Sequence, residues 1–203
     1  LHQTLRTHAG APPPPKQALH VVTHAAGSIA REDAAALEIT LLASYIIVGG
    51  QSLPETMFPP DELYALMRRG VRVTTAQASV FERHQCCQSI ISRHDHALYL
   101  CVGSVYTGNY SVVMSWKERH DPHDQLKVID TGAASGRLGI AARATARFAQ
   151  QADAAEQVVQ FAETAVRASQ EYIFLDRLQY LAAGGRLSKT KGFLGDMLHM
   201  KPV

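Results

Sequence analysis

The 203-residue chain has no excess of charge of either sign: 20 Lys and Arg stand against 18 Asp and Glu, a formal net charge of +2 with His neutral. Such a balance supplies no clustered basic face, so a nucleic-acid-binding role is set aside first. Long apolar runs are also lacking. The longest, over 39–48, is interrupted by Thr40 and Ser44 and is too short to cross a bilayer. Neither a spanning helix nor a secretory leader is therefore expected, and no stable membrane insertion. Cysteine is scarce: Cys86, Cys87 and Cys101 are odd in number and none has Cys-x-x-Cys spacing, which points to a reducing, cytoplasmic setting. No internal repeat occurs. Gly-x-Gly-x-x-Gly, the P-loop pattern and Gly-x-Ser-x-Gly are all missing, so dinucleotide binding and a serine hydrolase have no visible support. His94 and His96 flank Asp95, and His120 and His123 flank Asp121 and Pro122. Both pairs fall at polar junctions where solvated histidines are the expected state, and neither supplies the three or four convergent ligands of a metal site.

What is present is ordinary globular composition, 46% apolar with 14 Gly and 9 Pro. Residues 1–17, with Pro12 to Pro15 in a row, read as a stiff linker or tail. The sequence starts at Leu1 rather than Met and stops at Lys201-Pro202-Val203 straight after an apolar stretch, so a fragment of a longer polypeptide is expected. Between these ends, apolar runs predict strands over 19–23, 39–48, 97–102, 127–130 and 172–175. Helical patterns fall over 31–37, from Pro59-Pro60 to Gly70, over 79–92, from about 109 through Trp116, and from the Gly-rich turn after Asp130 to about 151. Asp153 with Glu156 reads as a capping box opening a helix whose inner face carries Val158, Val159, Ala162, Ala165 and Val166. A helical turn over 178–183 and a last helix over 193–200 complete the pattern. Repeated strand, turn and helix predict an α/β fold: a mainly parallel sheet flanked by helices over 18–168, followed by the start of a second, smaller α/β domain over 169–203.

In open parallel sheets ligands collect beyond the carboxyl ends of strands. Four strand-exit turns stand out, over 24–28, 74–79, 103–108 and 131–139. They offer hydroxyls, glycines and amides beside helix N-termini, the chemistry that holds an anion without full countercharge. The competing explanation is helix capping, the commonest use of Ser and Thr at such positions.

These residues also carry a family resemblance. Val21-Val22-Thr23, Thr74-Thr75-x-Gln77-x-Ser79, Ser104-x-x-Thr107-Gly108-x-Tyr110, Ile129-Asp130 with Ser135 and Gly139, Asp176-x-Leu178-x-Tyr180-Leu181-x-x-Gly184-Gly185-Arg186-Leu187-Ser188, and Leu194-Gly195 with Met200-Lys201-Pro202-Val203 occur in one order over 18–203. Together they resemble the DegV family of bacterial fatty-acid-binding proteins, the Gly-Gly-Arg segment being the most specific. The resemblance implies a two-domain α/β lipid-binding protein that holds one fatty acid, acyl chain buried and carboxylate near the surface. It further implies an acyl carrier without a catalytic centre of its own. A kinase related to dihydroxyacetone kinases, separate or fused upstream through the Pro-rich arm, would convert the bound carboxylate to an acyl-phosphate for phospholipid synthesis. By resemblance Thr75, with Thr74, and Ser104 hold the carboxylate. Neutral hydroxyls suit that task because they donate to the oxygens and leave them nucleophilic. Their alternative is to cap the helices that follow. Arg186, after two glycines, would clamp a phosphate or dock the kinase, with a salt bridge to Asp176 as the alternative. Gly103, Gly108, Gly184 and Gly185 read as backbone-conformation residues. Phe81, Ile90, Ile91, Tyr106, Phe193, Leu194 and Met197 could line an acyl pocket but read first as core.

The sequence departs from the family pattern in three places. Thr23-His24-Ala25 replaces Thr-Asp-Ser, Thr75-Ala76-Gln77-Ala78-Ser79 replaces Thr-Ser-Gln-Pro-Ser, and Gly103-Ser104 replaces a Ser-Ser pair, each swap expected to remove a polar group from one cleft. By the same resemblance the sequence stops before the family's remaining C-terminal segment, which carries a His near the carboxylate, so either that segment follows in a longer polypeptide or this is a degraded copy. Two other readings therefore stay open: a structural or regulatory module whose pocket has degraded, and a phosphotransfer or hydrolytic enzyme with His24 as its base.

Overall fold

A computed structural model describes residues 18–174 of the chain. In chain order its elements are β1 (His20–His24), α1 (Arg31–Ala36), β2 (Thr40–Leu42), β3 (Ser44–Val48), β4 (Gln51–Pro54), α2 (Pro60–Arg68), β5 (Val73–Gln77), α3 (Val80–Arg93), β6 (Ala97–Cys101), α4 (Asn109–His120), β7 (Leu126–Asp130), α5 (Ser135–Ala149) and α6 (Ala155–Ala168).

The strands β2-β1-β6-β7, in that order, form an all-parallel sheet. Every residue of β1 and β6 is buried, as expected of central parallel strands covered on both faces. Their alternation divides the core in two. Val21, Leu98 and Leu100 pack with Leu138 and Ala142 of α5 and Val158 and Ala162 of α6. On the other face Val22, Tyr99 and Cys101 pack with Cys87 and Ile90 of α3 and Val113 and Trp116 of α4. The result is a three-layer α/β arrangement, in agreement with the expected parallel sheet flanked by helices.

The predicted single strand over 39–48 is instead two. β2 joins the parallel sheet, and after Ala43 the chain enters a separate antiparallel sheet of order β4-β3-β5. β3 and β4 turn through Gly49-Gly50, both at positive φ. This second sheet was not anticipated: its β4 is largely exposed and carries no apolar alternation to announce it.

The capping box expected at Asp153 and Glu156 does not form. The N-cap of α6 is Ala154, whose methyl group accepts nothing, and the Asp153 N–H donates to Gln157 Oε1 at 3.3 Å. A box forms instead at α3, where Ser79 Oγ accepts from the Glu82 N–H at 3.1 Å and Glu82 accepts from the Ser79 N–H at 2.7 Å. Tyr172, Ile173 and Phe174 form no strand, and Phe174 is 90% exposed. Asp176, Arg186 and the elements expected over 178–183 and 193–200 lie outside the described residues. No second domain is delineated among the residues described.

Candidate functional site

Within the parallel sheet, β2 lies to one side of β1 and β6 to the other, so strand order reverses at the β1/β6 boundary. Ligand crevices in open α/β sheets form at that reversal, beyond the carboxyl ends of the strands. His24 is the last residue of β1, and a cleft with two arms lies against it. One arm, of about 220 Å³, is the more polar of the two, with His24, Ser44, Tyr45, Gln77 and Glu82 in its walls beside Leu41, Ala43 and Ala78. The other, of about 320 Å³, runs between α3 and α4 and is mainly apolar, with Val80, Cys87, Val112, Val113 and Trp116 in its walls. Leu42, Arg83 and Asn109 line both arms and so mark their junction.

The side chains at this junction are tied together from separate elements. Arg83 Nη1 of α3 donates to Gln77 Oε1 at 2.7 Å and to Asn109 Oδ1 at 3.2 Å, joining the end of β5 to the start of α4. Tyr45 of β3 donates its hydroxyl proton to Glu82, and hydrogen bonds from Ser79 and then Tyr45 hold the Glu82 carboxyl down to about 2. His24 is 3% exposed, and its Nε2 is hydrogen-bonded to the Tyr99 hydroxyl. Burial, and then the charge of Arg83, lower His24 to about 4. Burial that opposes the imidazolium makes the ring a weak base, and one of its nitrogens is already engaged. The general-base role expected as an alternative for His24 is therefore not supported by its surroundings. In the apolar arm, Trp116 Nε1–H donates to His84 Nδ1 at 3.0 Å, and burial pushes the Cys87 thiol up to about 12, away from nucleophilic use. Among the described residues no three His, Cys, Asp or Glu side chains converge as a metal-binding group.

An arrangement with Arg83 and Glu82 in its more polar arm and an adjoining mainly apolar groove, with Arg119 in its lining, suits an amphiphile with a small polar head. Residues 18–203 match the family model described as uncharacterised proteins of the DegV family. The chain belongs to the DegV family. A DegV domain-containing protein of Caldanaerobacter subterraneus is 27% identical over 143 residues, covering 70% of this chain and 51% of that protein. One from Streptococcus pyogenes serotype M1 is 28% identical over 176 residues, covering 82% of this chain and 60% of that protein. The chain thus spans about half to three fifths of the length of these curated DegV relatives. Among solved structures, a DegV family protein from Thermus thermophilus described for its fatty-acid binding superposes with a TM-score of 0.73 at 22% identity, over 91% of this chain and 66% of that one. DegV, a fatty-acid-binding protein from Bacillus subtilis, superposes with a TM-score of 0.76 at 19% identity, over 88% and 64%. At such identities these two likenesses establish the fold.

Within this DegV fold, Thr74 and Thr75 lie on β5, an antiparallel strand, rather than in a strand-exit turn. Successive strand residues face opposite ways, so Thr75 shares a face with Gln77, whose side chain reaches Arg83, and Thr74 faces away. Ser104 is exposed beyond β6, and its backbone N–H donates to Asp130 Oδ1 at 3.0 Å. None of Thr74, Thr75 and Ser104 lines either arm. Nor do Thr75 and Ser104 serve as caps. The cap of α3 is Ser79, and that of α4 is Gly108, with the Asn109 N–H donating to Thr107 Oγ1 at 3.3 Å. Two of the three departures from the DegV pattern do fall on the polar arm, at His24 and Ala78. The third does not. A Cβ on Gly103 would lie 2.7 Å from the Gly132 backbone, so glycine there permits a close approach and is no lost pocket hydroxyl.

Sequence reasoning missed Arg83, Asn109 and Tyr99. Arg83 carried a signal: with Cys87 and Ile90 it sits at i, i+4 and i+7, a charge on the buried stripe of α3. Tyr99 carried none, because its meeting with His24 depends on the β1–β6 register.

Proposed function

We propose that the chain is a lipid-binding protein that holds a long-chain fatty acid and offers its carboxylate to a partner kinase for acyl-phosphate formation. The supporting observation is the cleft whose more polar and more apolar arms share Arg83 and Asn109, in a chain of the DegV family whose solved relatives include fatty-acid-binding proteins. A groove of a few hundred Å³ lined mainly by apolar side chains and ending in a few fixed polar groups is the usual form of a small-molecule site. In this reading the exposed hydroxyls of Thr75 and Ser104 receive the carboxylate when it is presented, Thr74 on the opposite face of β5 takes no part, and Arg186 meets the transferred phosphate or the kinase surface. The carrier supplies no base, metal or cofactor; its ligand is the fatty acid, and the phosphoryl donor belongs to a kinase related to dihydroxyacetone kinases, separate or fused upstream. The carrier works in the cytoplasm, and residues 169–203 begin its second domain.

The test is native mass spectrometry of the protein purified from a bacterial host, followed by solvent extraction. A stoichiometric long-chain fatty acid, depleted in the Thr75→Ala, Ser104→Ala double variant, is the expected result. A protein that arrives empty and takes up neither palmitate nor oleate refutes the carrier reading and leaves a module that has kept the fold without the ligand.

A further inference from the structure

Helix α2 has nine residues, and none of them is buried. A helix of that length does not hold itself in water and depends on packing against a neighbour. Its inner residues Leu63, Leu66 and Met67 are only half-buried. Between α2 and the strands β3 and β4 lies a groove of about 220 Å³ with Val48, Leu53, Phe58 and Leu66 in its walls. Apolar side chains of the same region face solvent: Met57, in the turn before α2, is 63% exposed and Tyr64 53%. The chain's described residues thus leave α2 incompletely covered.

The charges on its outer face select what fits there. At about 100° per residue, Asp61, Tyr64, Ala65 and Arg68 fall on one side of α2, and all four are exposed. Asp61 and Glu62 stand in the first turn, Arg68 in the last, and Arg69 and Arg72 follow. Among the described residues none of these five charges makes an ion pair. A face that is acidic at one end and basic at the other, with an aromatic ring and a small residue between, is complementary to itself when turned end for end. We propose that α2 is an interface between two copies of this chain, paired antiparallel about a two-fold axis that passes between Tyr64 and Ala65. With a rise of about 1.5 Å per residue, Asp61 and Arg68 lie about 5 Å on either side of that axis, so Asp61 of each copy meets Arg68 of the other. Glu62 meets Arg69 of the other copy in the same way, within the reach of a long side chain. Ala65 at the centre lets the helices approach, and the two Tyr64 rings meet on one side of it. Exposed ion pairs contribute little attraction, so the charges set register and orientation while the buried ring and methyl surfaces hold the pair. A parallel pairing would set acid against acid and arginine against arginine. The patch is small, which makes the dimer weak and concentration-dependent. Because α2 leads through 69–72 into β5, whose Gln77 lines the cleft, the pairing also braces that wall. The inference is independent of the fatty-acid reading.

The test is sedimentation velocity of the 203-residue chain over a range of protein concentrations, with far-UV circular dichroism to confirm that each variant folds. The unmodified chain is expected to dimerise reversibly. Asp61→Arg and Arg68→Glu, which each set like charges opposite one another, should weaken the dimer about tenfold or more. An equimolar mixture of these two variants should restore it, because every arginine then faces an acid, and so should the double variant alone. Tyr64→Ala, which leaves the charges in place, should also weaken it. A monomer at every concentration, a dimer indifferent to the single charge reversals, or a mixture of the two variants that stays monomeric overturns the pairing.

Discussion

His20 and His24 are buried bases whose protonation the fold opposes. Burial and then Arg83 bring His24 from 6.5 to about 4, and burial and then His94, stacked on His20 at 3.9 Å, bring His20 to about 4. A base with a depressed folded value binds its proton more readily in the unfolded chain. Its contribution is therefore complete above pH 6.5 and is lost as pH falls toward 4. For the two rings together the loss is on the order of a few kcal/mol. Urea unfolding across that window should show falling stability, and the two ring C–H resonances should titrate near pH 4. A flat stability profile with midpoints near 6.5 would mean that both rings are solvated in the folded chain. His24 also marks the limit of sequence reading at this scale. Its place at a strand exit was legible, but its partner Tyr99 is 75 residues away. Only the register that pairs Val22 with Tyr99 sets that side chain on the same face as His24, two residues further along β1.

At the scale of elements, most of the parallel layer was legible because its strands are continuous apolar runs and its helices carry end signals. Pro60, Asp61 and Glu62 at the start of α2 and Arg68 in its last turn suit the helix dipole. The break after β2 was not legible, since residues on both sides of Ala43 have the same β-forming character, and only pairing partners separate a parallel edge strand from an antiparallel one. The misplaced box at Asp153 shows the same limit, because its spacing pattern is met but the helix starts at Ala155. Ser79-x-x-Glu82 has equal spacing and does close, and there the box also feeds the site, since Glu82 of α3 accepts from Tyr45 of β3. Ser79→Ala should cost about 1 kcal/mol of stability. It should also release Glu82 part of the way toward the ordinary carboxylate range, because the Ser79 side chain is the leading cause of its depression and the backbone N–H bond remains. Thermal unfolding and carboxyl-resolved NMR would measure the two effects; a variant with unchanged stability would show that the box is not made in solution.

At the scale of the whole molecule, the described residues divide into two sheets of different standing. All ten residues of β1 and β6 are buried, whereas in β3, β4 and β5 Ile46 is the single buried residue, and Gln51 to Leu53 are exposed. Local opening is governed by how much apolar surface an element must expose, so the antiparallel sheet is the one able to open without unfolding the rest. That sheet carries Tyr45 and Gln77, which places one wall of the cleft on the weaker unit and the His24–Tyr99 wall on the stronger. A ligand that bridges the two walls should stabilise the weaker one selectively. Amide hydrogen exchange of the unliganded chain is expected to be slowest at Leu98 to Cys101 and markedly faster through β3 to β5. Added laurate should slow β5 and the first turn of α3 and leave β6 unchanged. Equal protection of β5 and β6 before any ligand is added would mean that both sheets open as one cooperative unit, so the cleft could open only with the core.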